Sequence, residues 1–126
     1  MRRKSKSETS KLQAKADKLL TPIIKKLHPK CEACGSDTEV AHHFIEKSRS
    51  SNLRYDMRNL IPLCHSCHAK IHNRFGNSIM GSLDVADVIR KKRGEDWYNQ
   101  IRVDGQKIVK VNKEWYENKL QELNSI

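Results

Sequence analysis

The sequence has few of the features that mark secreted or membrane proteins. It contains no apolar run near the roughly 18 to 20 residues that a membrane span needs. Its basic start, "MRRKSKSETSK", leads into no hydrophobic core of a signal peptide. Only 37% of the 126 residues are hydrophobic and 6% are aromatic, so the core must be small. We therefore expect one intracellular, cytoplasmic domain that does not bind membranes.

Cysteine is also scarce, and its spacing is informative. The four cysteines form two C-x-x-C pairs, Cys31/Cys34 and Cys64/Cys67, separated by the 29 residues from 35 to 63. In an intracellular chain, thiols paired in this way indicate zinc more often than disulfides. No βαβ pattern surrounds either pair, which argues against a thioredoxin-like redox motif. We expect one tetrahedral Zn²⁺ in a closed structural site that joins the two ends of this loop.

The formal charge of +10 is unevenly distributed. Residues 1–30 hold ten Lys or Arg and two acidic residues, a balance of +8, whereas residues 31–126 have a balance of +2. This arrangement is typical of an arm that grips a phosphate backbone without reading bases. Lys15 and Lys18 on the outer face of a helix are candidate contacts. The alternative is a solvated basic face that has no partner.

Five of the six histidines fall between residues 42 and 72. If residues 66–74 form a helix, His68 and His72 project from one face. Cys67 then points about 100° away, which separates the thiols from these imidazoles. His42 and His43 lie inside the loop that zinc would close. Three imidazoles with open positions for water are typical of a catalytic metal site. The alternative is a set of surface or packing histidines.

The periodicity predicts an α+β fold. The N-terminal pattern indicates a helix from Thr9 or Ser10, with a second helical segment starting at Pro22. The remaining predicted elements are a strand over 38–43, a polar loop over 46–59, a strand over 60–63, a helix over 66–74, a helix capped by Ser82 and ended by Gly94, and a last helix capped by Asn112. We divide the chain into a basic helical N-terminal arm (1–30), a core (31–76) and a mostly helical C-terminal extension (77–126).

The segments "CEAC", "AHHF" and "RNLIPLCHSCHAKIH" resemble the HNH endonuclease family, with its ββα-metal fold. The resemblance covers roughly residues 31–73 and neither flank. It implies a small ββα-metal core stapled by zinc, with flanking N- and C-terminal helices. It also implies a metal-dependent endonuclease that nicks or cuts DNA and leaves 5′-phosphate and 3′-hydroxyl ends. Small phage and mobile-element proteins often carry this module, so a bacterial host and packaging or recombination partners are further expectations.

The same resemblance assigns individual roles. His43 takes the place of the general base, and Asn59 that of the residue that holds the loop and orients this base. His42, His68 and His72 take the places of ligands to a catalytic divalent ion. Three imidazoles favour Zn²⁺, Ni²⁺ or Mn²⁺, whereas family members often use Mg²⁺. Adjacent strand residues face opposite ways, so both tandem histidines reach one site only if the strand ends or bulges there.

Three arginines in the loop beside this site, Arg49, Arg54 and Arg58, are candidates for holding the scissile strand. The alternative for each is a solvated loop arginine. Two other functions remain open: a non-catalytic zinc module that binds nucleic acid through the basic arm, and a scaffold within a phage-like assembly. The sequence reveals no base-reading element and no oligomeric state.

Overall fold

A computed structural model describes residues 7–47, 50–72 and 79–126, without the side chains of residues 72 and 79–84. Within these ranges the chain is α+β, with five helices and a two-stranded antiparallel sheet. The elements are α1 (Glu8–Leu27), β1 (Val40–His43), a 3₁₀ turn (Met57–Asn59), β2 (Leu60–Leu63), α2 (His65–His72), α3 (Ile79–Arg93), α4 (Glu95–Gly105) and α5 (Lys113–Asn124). The predicted fold class and its strand–strand–helix core are confirmed.

Helix α1 is one continuous helix, so the predicted second start at Pro22 is wrong. Proline lacks the N–H that would bond one turn back. The helix nevertheless continues because Ala16, Leu20 and Ile24 recur every four residues and are all buried. Its N-cap is Ser7, whose side chain accepts a hydrogen bond from the Ser10 N–H. Burial of one face on both sides of the proline therefore outweighs the lost backbone bond.

The two strands form the middle layer of the fold. Val40 pairs with Leu63 and His43 with Leu60, and Pro62 fits because both strands are edges. All four residues of β2 are buried. Leu60 packs in a cluster with α1, whereas Ile61 and Leu63 pack in a second cluster with the cysteines and α3. One face of the sheet is thus covered by α1 and the other by α2 and α3.

The C-terminal helices pack onto this core. Asn112 caps α5 by accepting a hydrogen bond from the Trp115 N–H, as predicted. Gly94, with a φ of 93°, follows the end of α3, also as predicted. The predicted start of that helix at Ser82 is wrong, because α3 begins at Ile79. Residues 95–103, whose pattern does not distinguish helix from strand, belong to α4.

The packing crosses the predicted boundary at residue 30. Leu20 and Ile24 of α1 share a buried cluster with Tyr55, Leu60 and Tyr116. The first helix is therefore part of the core and does not project as an arm. The other predicted boundary, at residue 76, lies outside the described residues. Among the helices described, none combines the length and apolarity needed to cross a bilayer.

Candidate functional site

The four cysteines meet between the loop at residues 31–37 and the start of α2. Their Sγ atoms all lie within 4.8 Å of one another. The Sγ atoms of Cys34 and Cys64 are 3.6 Å apart, close to the edge of about 3.8 Å expected for tetrahedral zinc with Zn–S bonds of about 2.3 Å. Cys34 is exposed and the other three are buried. The predicted four-cysteine arrangement is confirmed, and these residues fit a structural zinc ion.

Local hydrogen bonds prepare this cluster for metal. Hydrogen bonds from the Ser36 side chain and backbone lower the pKa of Cys34 to about 6, so its thiolate is available near neutral pH. Burial raises the pKa of Cys67 instead, and its proton must leave when zinc binds. The Cys67 N–H donates to Cys64 Sγ at 3.4 Å. Gly35, with a φ of 81°, closes the first turn and donates its N–H to the Cys31 carbonyl at 2.9 Å.

A groove of about 500 Å³ opens at the end of β1, between α1 and α2. His42 and His43 both line it, together with His68 of α2. Adjacent strand residues normally face opposite sides of a sheet. Here His43 is the last residue of β1, and the groove lies at the strand end, where both side chains reach it. The remaining lining residues are Asp17, Leu20, Thr21, Ala41, Glu46 and Lys47.

The relative placement of His42 and His68 suits a shared ion. Their rings lie edge to face, with centroids 5.3 Å apart and an interplanar angle of 66°. Two imidazoles on one tetrahedral ion place their ring centres about 5 Å apart, given metal–nitrogen bonds of about 2.1 Å. His72 follows His68 by four residues on α2, but its side chain lies outside the described part of the chain. The separation of these two rings is compatible with the binding of one divalent ion between them.

His43 has a defined hydrogen-bond partner. Its Nε2 lies 2.9 Å from the backbone carbonyl oxygen of Arg54. A carbonyl only accepts, so Nε2 carries the proton and the lone pair of the neutral ring is on Nδ1. Burial lowers the pKa of His43, and the charges of Lys47 and Arg54 add to this, against the raising effects of the carbonyl and of Asp17. The imidazole is therefore neutral at physiological pH.

Asn59 clips together the loop that follows His43. Its side chain is fully buried. The amide oxygen accepts from the Ile45 N–H at 2.7 Å, and the amide nitrogen donates to the carbonyls of Ile45 at 3.0 Å and Leu53 at 3.3 Å. Its own carbonyl accepts from the Phe44 N–H at 2.9 Å. Asn59 thus fixes both ends of the loop without lining the groove.

Two of the three loop arginines that were predicted to hold DNA are paired with carboxylates. Arg54 forms a two-point ion pair with Asp17 of α1, and its side chain is only 15% exposed. Arg58 bonds to both Asp56 and Asp104, with its side chain 49% exposed. Both guanidinium groups therefore form ion pairs within the fold, Arg54 with α1 and Arg58 with α4.

The predicted lysines lie on the outer side of α1. Lys15 and Lys18 are both exposed. Residues seven apart on a helix point within about 20° of one another, so Lys11, Lys18 and Lys25 form one exposed ridge. Thr21 lines the groove and lies three residues after Lys18 and four before Lys25, so this ridge runs beside the groove. Arg49 lies outside the described residues.

Sequence reasoning missed the three charged residues of the groove, Asp17, Glu46 and Lys47. Asp17 carried a signal, because it is one of only two acidic residues among the first thirty. An isolated carboxylate on a basic helix often has a specific cationic partner. Glu46 and Lys47 sat in a polar loop, where nothing distinguished them from solvated residues.

Comparison with known proteins agrees with this geometry. The model of a family described as HNH endonuclease matches residues 31–74. A segment of 55 residues is 42% identical to the mitochondrial DNA mismatch repair protein mutS homolog of Sarcophyton glaucum, and the match covers 40% of this chain and 6% of that protein. No solved structure matches the chain. The matched segment, residues 31–74, is thus similar to the HNH endonuclease family and contains the four cysteines in their zinc-site arrangement.

Proposed function

We propose that the protein is a metal-dependent HNH endonuclease that hydrolyses DNA phosphodiester bonds and leaves 5′-phosphate and 3′-hydroxyl ends. The observation that carries the proposal is the convergence of His42, His43 and His68 on one groove beside the four-cysteine site. The family supports nuclease chemistry in general. The matched relative is named as a DNA mismatch repair protein, which supports DNA as the substrate.

His42 and His68, together with His72, would hold the catalytic ion. When bound, a divalent ion such as Mg²⁺, Mn²⁺, Zn²⁺ or Ni²⁺ neutralises a non-bridging phosphate oxygen and stabilises the leaving 3′ oxygen. The edge-to-face placement of the two described imidazoles at 5.3 Å supports this assignment. The four thiolates hold the structural Zn²⁺ and take no part in the reaction.

His43 is the proposed general base. Its lone pair on Nδ1 accepts a proton from the attacking water as the water oxygen bonds to phosphorus; the P–O3′ bond breaks, and the 3′ oxygen takes up a proton from solvent. The bond from Nε2 to the Arg54 carbonyl keeps the ring in this tautomer. Asn59 supports the base indirectly, because its hydrogen bonds to Ile45 and Leu53 fix the loop that runs between His43 and Arg54.

The exposed lysines of α1 are the proposed phosphate contacts. Lys18 borders the groove and Lys15 lies farther round the helix, so both act through charge and do not read bases. Arg49 and Arg58 stay candidates for the scissile strand. The ion pair with Asp17 disfavours Arg54 in that role, because binding a phosphate would break two charge-assisted hydrogen bonds.

A zinc module without catalysis is the alternative, and it is favoured by the completeness of the cysteine site. The test incubates supercoiled plasmid with zinc-loaded protein and Mg²⁺, Mn²⁺, Ni²⁺ or Zn²⁺. Wild type should nick the plasmid, and His43→Ala should lower the rate by about 10² to 10⁴. His28→Ala is the control, because this exposed histidine lies at the end of α1 outside the groove, and it should retain full activity.

Loss of nicking in His43→Ala but not in His28→Ala would support the proposal. If wild type binds DNA with every metal but cleaves neither DNA nor RNA, the binding module replaces the nuclease.

A further inference from the structure

We propose that Asp17, on α1 and outside the HNH segment, is a positioning residue for His43. Asp17 acts through Arg54, whose backbone carbonyl holds the imidazole. The N-terminal helix is thereby part of the nuclease site and not only a carrier of positive charge. This inference rests on the proposed nuclease function, and the test below separates the two.

The first step is the contact between α1 and the loop. Asp17 accepts hydrogen bonds from Arg54 Nε at 3.0 Å and Nη2 at 2.7 Å, one on each carboxylate oxygen. Tyr55 OH donates a third bond to Asp17 Oδ1 at 2.9 Å. The Asp17 side chain is 33% exposed and that of Arg54 is 15% exposed. Because two parallel bonds between planar groups fix direction as well as distance, this contact orients residues 54 and 55.

The second step runs from this contact to the base. The Arg54 carbonyl accepts a hydrogen bond from His43 Nε2 at 2.9 Å. Arg54 therefore contacts Asp17 through its side chain and His43 through its backbone. Asp17 and His43 also line the same groove. Release of the Arg54 side chain would let its peptide group rotate, and the imidazole would lose the acceptor that fixes its tautomer.

The third step concerns the contacts with α5 that hold α1 in place. Tyr55 packs against Trp115 and Tyr116 of α5, with ring centroids 5.7 and 6.3 Å apart. Gln13, one turn before Asp17, donates to Tyr116 OH at 3.1 Å. Helix α5 therefore holds α1 at a fixed position against the loop. This gives the C-terminal extension an indirect part in placing the base.

The chain offers a matched control. Arg93 and Glu32 form a similar two-point ion pair, with N···O distances of 2.7 and 2.8 Å and side chains 18% and 19% exposed. Neither residue lines the groove. Glu32→Gln therefore removes an equivalent ion pair without touching the path to His43. Zinc content is measured in every variant, because Glu32 lies between two of the cysteines.

The experiment uses the full chain and two readouts. Single-turnover cleavage at saturating DNA should fall about 10- to 100-fold in Asp17→Asn, as for other partners that orient a reacting group, with the Kd for DNA unchanged. Long-range ¹H–¹⁵N spectra should find the His43 proton on Nε2 in wild type and a mixture of tautomers in Asp17→Asn. Glu32→Gln should match wild type in both readouts.

Tyr55→Phe removes one of the three bonds and keeps both charges, so it provides a second variant if Asp17→Asn does not fold. Its cleavage rate should fall about 2- to 12-fold, the range expected for the loss of one net hydrogen bond. An unchanged His43 tautomer in the folded variants would overturn the positioning role, whatever the cleavage rate. If wild type cleaves no substrate but the tautomer still depends on Asp17, the nuclease function fails and the positioning role stands.

Discussion

His42 and His68 lie edge to face across the groove, with ring centroids 5.3 Å apart. His68 directly follows Cys67, whose side chain is 5% exposed and packs in the core with the other cysteines. Helix α2 therefore contributes to both the cysteine cluster and the groove, with the Cys67 thiol on one side and the His68 imidazole on another. Loss of the structural zinc should disturb both sites, whereas loss of an imidazole should disturb only the groove.

Removal of zinc should unfold the protein around α2. Structural zinc contributes on the order of 10 kcal/mol to the folding of small domains, and the sheet formed by the described residues is small, with two strands. Cys64→Ser or a strong chelator should abolish the dispersed amide spectrum and the cooperative thermal transition. Ser66→Ala, which changes an exposed residue between Cys64 and Cys67, should keep both. If the protein retains its dispersed amide spectrum after the chelator has removed zinc, the fold does not depend on zinc.

Loss of the Asn59 side chain should destabilise the fold strongly. Asn59→Ala leaves the N–H and carbonyl of the half-buried Ile45 and the carbonyl of the buried Leu53 without their partner, at a cost of about 3 kcal/mol. Asn52→Ala is the control, because Asn52 makes one bond to the Asp104 carbonyl and should cost about 1 kcal/mol. Urea unfolding measures both. Equal losses of unfolding free energy in the two variants would contradict the role of the Asn59 side chain in holding the loop.

The cysteine site was predictable because local spacing determines it, whereas the histidine site stays a prediction. Two C-x-x-C pairs can meet only if the loop between them closes, and the i, i+4 pair at residues 68 and 72 follows from helix geometry. The role of Asn59 was available only through resemblance, since a lone asparagine in a loop has no periodicity. Its buried bonds to Ile45 and Leu53 depend on a tertiary fold that the loop sequence does not encode locally.

The ion pair on α1 should make stability depend on pH. Burial alone would raise the pKa of Asp17, but hydrogen bonds from Arg54 and Tyr55 and the charge of Arg54 bring it below its ordinary value. A carboxylate whose pKa is lower in the folded state stabilises above its unfolded pKa, and this stabilisation is lost as pH falls through the folded pKa.

The measurement compares the thermal stability of wild type and Asp17→Asn from pH 7 to the acid limit of the folded state. Acid also protonates the zinc thiolates, so the difference between the two proteins is the quantity to follow. It should be largest near pH 7 and should shrink below about pH 5. A difference that stays constant with pH would mean that the charge of Asp17 contributes nothing.

The lysine ridge should control affinity for DNA in a salt-dependent way. Lys18→Ala with Lys25→Ala should weaken binding to all sequences equally and reduce the salt slope by about 1.8, since each phosphate contact contributes about 0.9. Lys107→Ala with Lys110→Ala, in the segment between α4 and α5, provides a charge-matched control with an unchanged slope. An equal effect of the two pairs would indicate attraction by net charge alone.

Point substitutions are needed here because α1 cannot be deleted cleanly. The sequence predicted a basic arm, since charge counts do not reveal which helix face is buried. Ala16, Leu20 and Ile24 are each at most 4% exposed, so removal of residues 1–30 would open the core as well as remove charge. The pairing of Arg54 with Asp17 was likewise unpredictable, because it joins residues 37 positions apart through tertiary packing.

The most direct test of the two-site account is calorimetric titration of zinc-loaded protein with Ni²⁺, with structural zinc quantified in parallel. Wild type should keep one zinc and bind one further ion, and His68→Ala should keep the zinc and its fold while losing the second binding event. A His68→Ala protein that still binds the second ion, or that loses its structural zinc, would contradict the division between thiols and imidazoles.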